Sequence, residues 1–136
     1  MITYFDTSLF VKLIIDEIGS EQAEEIWMAS STLGSSMVLY VESRSALAAA
    51  KRRGRINEAN LMKAKSTLEG LRSQLYVVEV TSKLVQIAAE LAEEFSLRGY
   101  DSIHLASALS MKADVFASSD ESLCATAQAN GFHVIV

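Results

Sequence analysis

A chain of 136 residues, half of them hydrophobic, is long enough for one domain with a hydrophobic core and too short for two. Its formal net charge of −5 argues against binding nucleic acid through bulk positive charge, so such a contact requires a local basic patch or a metal ion. Cys124 is the only cysteine, which excludes an internal disulfide and a multi-cysteine zinc site.

The apolar runs of the sequence are short. None approaches the roughly 20 residues that span a bilayer, and the first residues do not resemble a secretory leader. We therefore expect a cytoplasmic protein without membrane contact, folded as a single domain over residues 1–136.

The predicted elements alternate along the chain. Runs of β-branched and aromatic residues predict strands at residues 1–5, 37–41, 76–80, 114–117 and 132–136. Apolar stripes, hydroxyl caps and glycine stops predict helices at residues 7–14, 20–27, 43–53, 61–75, 81–95, 101–112 and 123–127. Residues 30–36, rich in small side chains, are predicted as a connector. This alternation favours a three-layer α/β sandwich with a mostly parallel central sheet and helices on both faces.

Four acidic residues fall at strand–helix junctions of this predicted fold. Asp6, Glu42 and Asp120 follow predicted strands, and Asp101 stands at a helix start, where it can also cap the helix. The carboxyl ends of parallel strands meet at one edge of a sheet, and helices leading back into strands begin at that same edge. We therefore expect the four side chains to converge there.

Four converging carboxylates cannot all be ionised without a compensating positive charge. Two unit charges about 4 Å apart repel by roughly 4 kcal/mol at an effective dielectric near 20. Either some carboxyls hold protons or a cation lies among them, and ligands that are all oxygen suit Mg²⁺ or Mn²⁺. Such ions activate water for phosphodiester hydrolysis.

Two other polar residues lie near Asp101. His104 follows it by one helical turn and is either a general base or, as we favour, a packed or capping histidine. Arg98 precedes it and is better placed to contact a phosphate than the basic cluster of Lys51, Arg52, Arg53 and Arg55. The dipole of a helix end explains three of these four residues, and contact with an RNA backbone is the alternative for the cluster.

Four segments together resemble the PIN-domain ribonucleases, and among them the VapC-type toxins of toxin–antitoxin pairs. They are residues 4–8 (YFDTS), 41–42 (VE), 97–106 (LRGYDSIHLA) and 118–120 (SSD). The resemblance implies an Mg²⁺- or Mn²⁺-dependent endoribonuclease that is dimeric and is inhibited by a cognate, VapB-like antitoxin.

The resemblance also implies roles for individual residues. By position, the catalytic metal ligands are Asp6, Glu42, Asp101 and Asp120. The polar neighbours expected to contact the substrate are Thr7, Ser8 and Ser118, to which we add Arg98.

Three other functions are alternatives for this sequence. A haloacid-dehalogenase-like phosphatase would have an Asp-x-Asp pair directly after its first strand. In this chain Asp6 is followed two residues later by Ser8, so the second aspartate of the pair is missing. A receiver-like signalling module would place a phosphorylated aspartate after strand three, where this chain has Thr81. The third alternative is a PIN fold that has lost activity and only binds metal or a partner.

Overall fold

The computed structural model describes residues 1–135 and contains a five-stranded parallel sheet in the order β3-β2-β1-β4-β5. The strands are β1 (Ile2–Phe5), β2 (Thr32–Ser36), β3 (Tyr76–Val78), β4 (Val115–Ala117) and β5 (His133–Ile135). All four neighbouring pairs are parallel, with Tyr4 opposite Gly34 and Phe5 opposite Ala117. The central strand β1 therefore ends between the carboxyl ends of β2 and β4.

Within residues 1–135, seven α-helices accompany these strands. They are α1 (Thr7–Phe10), α2 (Ser20–Ala29), α3 (Val38–Arg52), α4 (Glu58–Arg72), α5 (Ser82–Phe95), α6 (Gly99–Ser110) and α7 (Glu121–Ala129), with a short 3₁₀ helix (Val11–Leu13) directly after α1. No helix within residues 1–135 has the length and apolar character needed to cross a membrane.

The sheet separates two hydrophobic cores. Phe5 and Ala117 pack with buried side chains of α1 to α4, whereas Tyr4 and Phe116 pack with those of α5, α6 and α7. Neighbouring residues on β1 and β4 thus point to opposite faces, as strand geometry requires. Helices cover both faces, which confirms the predicted three-layer α/β class.

The second strand lies earlier than predicted. The predicted connector contains β2, whereas the predicted strand at 37–41 is wrong because it forms the first turns of α3. The buried residues of α3 recur at helical spacing: Leu39, Ser43, Leu47 and Ala50. This stripe outweighs the strand preference of the valines and tyrosine at its start. Glu42 therefore lies on a helix rather than at the end of a strand.

Small side chains suit β2 to its crowded place between β1 and β3. Ser35 is fully buried and donates a hydrogen bond to the carbonyl of Phe5 at 2.6 Å. A side chain at Gly34 would overlap Met111 and lie 3.2 Å from the carbonyl oxygen of Tyr76. The small size of Gly34 and Ser35 is explained by the limited space around them rather than by a preference for strand conformation.

Smaller boundary predictions also change. Asp6, rather than Thr7 or Ser8, caps α1, since its Oδ1 accepts from the backbone N–H of Leu9 at 3.2 Å. Helix α6 begins at Gly99, so Asp101 lies inside its first turn and does not cap it. The strand predicted to run to residue 80 ends at Val78, and the last residue of the strand predicted at 132–136 lies outside the described residues.

Candidate functional site

Asp6 is buried at the carboxyl end of the central strand, with 4% of its surface exposed. Its Oδ1 accepts from the hydroxyl of Ser8 at 2.7 Å and its Oδ2 from that of Ser118 at 2.6 Å. Burial raises the pKa of the Asp6 carboxyl above its ordinary value, although these hydroxyl donors oppose the shift. The carboxylate is therefore both fixed in orientation and deprived of solvent.

Ser118 joins Asp6 to Asp120. It follows β4, is fully buried, and accepts from the backbone N–H of Asp120 at 3.0 Å while donating to Asp6. Asp120 caps α7, its Oδ1 accepting from the N–H of Leu123 at 3.1 Å. Because β1 and β4 are hydrogen-bonded neighbours, these two acids lie at adjacent strand ends.

Arg98 joins Asp120 to Asp101. Its Nε donates to Oδ2 of Asp101 at 3.1 Å, and its Nη2 lies 3.9 Å from Oδ2 of Asp120. The arginine side chain is 83% exposed. One guanidinium thus forms ion pairs with both acids. The three-residue spacing of Arg98 and Asp101 indicated the first pair but not the second.

Glu42 enters the site from the second turn of α3. Its Oε1 accepts from the hydroxyl of Thr7 at 2.7 Å and lies 2.6 Å from Nε2 of His104. Burial opposes ionisation of Glu42, but the hydrogen bonds from His104 and Thr7 outweigh it and hold the pKa of Glu42 below its ordinary value. His104 is itself buried and contacts the Tyr4 hydroxyl through Nδ1 at 2.6 Å.

Hydrogen bonds and ion pairs thus connect the four acids at one edge of the sheet. One series runs from Asp6 through Ser118 to Asp120 and on through Arg98 to Asp101. Glu42 is attached through Thr7, the residue after Asp6, and through His104, one turn along α6 from Asp101. The polar residues selected from the sequence therefore lie in one region.

The donor atoms of this region fit a hard divalent cation. They are carboxylate and hydroxyl oxygens, the ligands that Mg²⁺ and Mn²⁺ prefer. Within residues 1–135, no three His, Cys, Asp or Glu side chains are grouped as around a metal ion, and each of the four acids has protein partners. Burial disfavours the ionised form of Asp6 and raises its pKa, and a positive charge beside the carboxylate would oppose that effect.

The remaining candidate side chains are Cys124, whose Sγ lies 3.7 Å from the carbonyl oxygen of Ser118, and the basic cluster at residues 51–55. Cys124 is buried, and burial raises the pKa of its thiol, so the thiolate that nucleophilic chemistry needs is disfavoured. In the basic cluster, Arg55 pairs with Glu17 at 2.7 Å and Lys51 pairs with Glu58. The contact between His104 and Glu42 was not predicted. The one sequence feature that places His104 near the site is its position one helical turn after Asp101.

Comparison with known proteins places this geometry in a family. The sequence model described as PIN domain matches residues 3–129, and the chain belongs to the PIN-domain family. Ribonuclease VapC45 of Mycobacterium tuberculosis is 41% identical over 110 residues, which cover 81% of this chain and 76% of that protein. The predicted resemblance to PIN-domain, VapC-type proteins is confirmed.

Solved structures share the fold. A toxin–antitoxin complex from Klebsiella pneumoniae contains a chain with 19% identity and a TM-score of 0.70, covering 98% of this chain and 96% of that one. The VapC20 toxin of Mycobacterium tuberculosis, described as cleaving the sarcin–ricin loop, has 18% identity and a TM-score of 0.71, covering 96% and 95% of the respective chains.

Proposed function

We propose that this chain is the toxin of a type II toxin–antitoxin pair, an endoribonuclease that hydrolyses RNA phosphodiester bonds with the help of Mg²⁺ or Mn²⁺. Residues 1–136 act as one domain in this proposal. Its support is the set of contacts that links Asp6, Glu42, Asp101 and Asp120 at one sheet edge, in a chain 41% identical to a VapC ribonuclease.

The four acids are the proposed metal ligands and catalytic residues. A bound divalent ion supplies a water of lowered pKa and charge stabilisation at the scissile phosphate. Ser8 and Ser118 hold the carboxylate of Asp6, and Thr7 with His104 holds that of Glu42, so the oxygens need little reorganisation.

RNA contacts are assigned to the polar residues around the acids. The exposed Arg98 side chain lies beside Asp101 and Asp120, where its guanidinium can contact a phosphate oxygen. Hydroxyls of Thr7, Ser8 and Ser118 are the other proposed substrate contacts. Because the net charge is −5, metal and Arg98 together compensate for the negative charge of the RNA.

The proposed partners are a VapB-like antitoxin and a second copy of the chain. The Klebsiella pneumoniae structure, a toxin–antitoxin complex, supports the first of these because it contains the same fold. The proposed location is the cytoplasm, where RNA substrate and antitoxin are present.

Cleavage of total cellular RNA by the purified protein tests the proposal. We expect discrete products with Mg²⁺ or Mn²⁺, none with EDTA, and none with Asp6→Asn. The matched control is Asp114→Asn, the same substitution at the opposite edge of the sheet, where Asp114 accepts from the N–H of Ile2 at 2.8 Å and asparagine can still accept. This control variant is expected to cleave like wild type.

Two outcomes would contradict the proposal. Folded wild-type protein that leaves RNA intact with both metals would remove the nuclease assignment and favour a partner-binding module. Cleavage by Asp6→Asn at the wild-type rate would show that the activity arises elsewhere or from a contaminant.

A further inference from the structure

A buried hydrogen-bonded series leads from the sheet to Glu42. The Tyr4 hydroxyl lies 2.6 Å from Nδ1 of His104, and Nε2 of His104 lies 2.6 Å from Oε1 of Glu42. Tyr4 is fully buried on β1 and His104 is 2% exposed on α6. The three residues come from three different elements, so this contact depends on the assembled fold.

The direction of these hydrogen bonds follows from the chemistry of the groups. A carboxylate oxygen only accepts, so Nε2 of His104 must carry the proton that it shares with Glu42. In neutral imidazole, Nδ1 is then an acceptor, and the Tyr4 hydroxyl can donate to it. Tyr4 thereby favours the tautomer in which His104 donates to Glu42.

Both donors to Glu42 contact the same oxygen. Thr7 and His104 donate to Oε1, whereas Oε2 makes no hydrogen bond within residues 1–135. The carboxylate plane is thus held from one side while its second oxygen remains available. Carboxylates that bind metals are commonly hydrogen-bonded in this way by neighbouring side chains.

We propose that His104 is a positioning residue that orients Glu42 toward a divalent cation, and that Tyr4 stabilises the tautomer in which His104 donates to Glu42. This role rests on the proposed metal-dependent function. It differs from a general-base role, because both ring nitrogens of His104 are engaged by protein groups and neither is available to RNA.

Nuclear magnetic resonance of the imidazole nitrogens tests the tautomer in metal-free protein. The chain has only two histidines, so a His133→Gln variant assigns the signals of His104. We expect a protonated Nε2 and an unprotonated Nδ1 in wild type. In Tyr4→Phe, which keeps the ring stacked on Phe116 with 5.4 Å between ring centroids, Glu42 still favours this tautomer, but we expect it to be populated less fully than in wild type. A protonated Nδ1 in wild type would overturn the proposal.

Binding of Mn²⁺ without RNA tests the positioning role. We expect His104→Leu to weaken Mn²⁺ binding by about 10- to 100-fold and Tyr4→Phe to weaken it less. His104→Gln should recover most of the affinity, because its amide N–H can still donate to Glu42. The exposed His133 is the control, and His133→Gln should bind Mn²⁺ like wild type.

The variants separate positioning from mere packing. Equal Mn²⁺ affinity in wild type and folded His104→Leu would overturn the role, as would failure of His104→Gln to bind better than His104→Leu. If His104→Leu does not fold, the Tyr4→Phe variant is the test. A Tyr4→Phe protein with the same His104 tautomer population and the same Mn²⁺ affinity as wild type would overturn the proposal.

Failure of the proposed function gives a different result. Wild-type protein that binds no Mn²⁺ would overturn the metal-dependent function together with this role. Protein that binds Mn²⁺, loses affinity in His104→Leu and leaves RNA intact would retain the positioning role and lose the nuclease assignment.

Discussion

Ser118 donates its hydroxyl proton to Oδ2 of Asp6 at 2.6 Å, although the two residues are 112 positions apart in the sequence. The contact exists because β1 and β4 are adjacent and end at the same level, with Phe5 opposite Ala117. It determines how the most buried acid of the site is oriented.

Ser118→Ala should destabilise the protein. The substitution removes a donor from buried Asp6 and the acceptor for the N–H of Asp120, and unsatisfied buried groups cost about 1–3 kcal/mol each. Urea unfolding at pH 7 measures the change. Ser119→Ala is the neighbouring control, expected within about 0.5 kcal/mol of wild type. Equal stability of the two variants would contradict the prediction.

Asp6→Asn should change how stability depends on pH. Burial raises the pKa of Asp6 from its ordinary value of 3.8, so the folded state binds a proton more tightly than the unfolded chain. The stability that the folded state gains from this tighter proton binding is fully present below the pKa of the unfolded chain. It is lost as the pH rises through the higher pKa of Asp6 in the folded protein.

Asparagine carries no charge, so the Asp6→Asn variant does not lose this stability as the pH rises. Without metal, Asp6→Asn is expected to be at least as stable as wild type at pH 7, with the difference shrinking as the pH falls toward 3.8. Thermal unfolding across this pH range measures it, with Asp114→Asn as control. A variant less stable than wild type at pH 7 would show that the hydrogen bonds of the Asp6 cap dominate over its burial.

Arg98→Ala should affect metal and RNA in opposite directions. The guanidinium occupies one oxygen each of Asp101 and Asp120, so its removal should tighten Mn²⁺ binding, by about two- to fivefold for an exposed ion pair. Loss of the phosphate contact should raise KM for RNA and reduce the salt dependence of binding by about one ion.

Titration of Mn²⁺ and salt-dependent RNA binding measure the two effects of Arg98→Ala separately. Arg52→Ala, at the exposed end of α3, is the control for lost positive charge. Weaker Mn²⁺ binding in Arg98→Ala than in Arg52→Ala would show that Arg98 supports the acids instead of competing with the cation.

Gly34→Ala should destabilise the sheet. An added methyl would overlap Met111 and lie 3.2 Å from the backbone carbonyl of Tyr76, and overpacking costs about 1–3 kcal/mol. Met111 is flexible, whereas the carbonyl belongs to the neighbouring strand. Urea unfolding of Gly34→Ala and of Gly34→Ala with Met111→Ala measures both contributions. Gly70→Ala is the control, because a methyl group added there would meet no atom of another part of the fold within 4 Å.

The prediction for the second strand shows where local patterns are insufficient. Residues 37–41 have strand propensity, but the register of buried Leu39, Ser43 and Leu47 places them on a helix. Residues 32–36 look like a connector because their side chains are small, yet they form β2, where Gly34 lies against Met111 and Ser35 is fully buried. Steric fit between distant segments is not encoded in a local window of sequence.

Alternation of apolar strands with amphipathic helices was sufficient to predict the α/β class, since periodicity and parallel topology follow from local chemistry. Junction positions were likewise sufficient to select Asp6, Asp101 and Asp120 as neighbours at one edge.

Only the tertiary structure decided which side chains contact one another. Ser118 with Asp6, Arg98 with both Asp101 and Asp120, and His104 with Glu42 and Tyr4 are contacts of 2.6 to 3.9 Å. Most of them join residues far apart in sequence, so they form only when separate elements pack together. Hydrogen bonds depend on distances of a few ångströms and on the angle between donor and acceptor, and the order of residues alone does not specify these quantities.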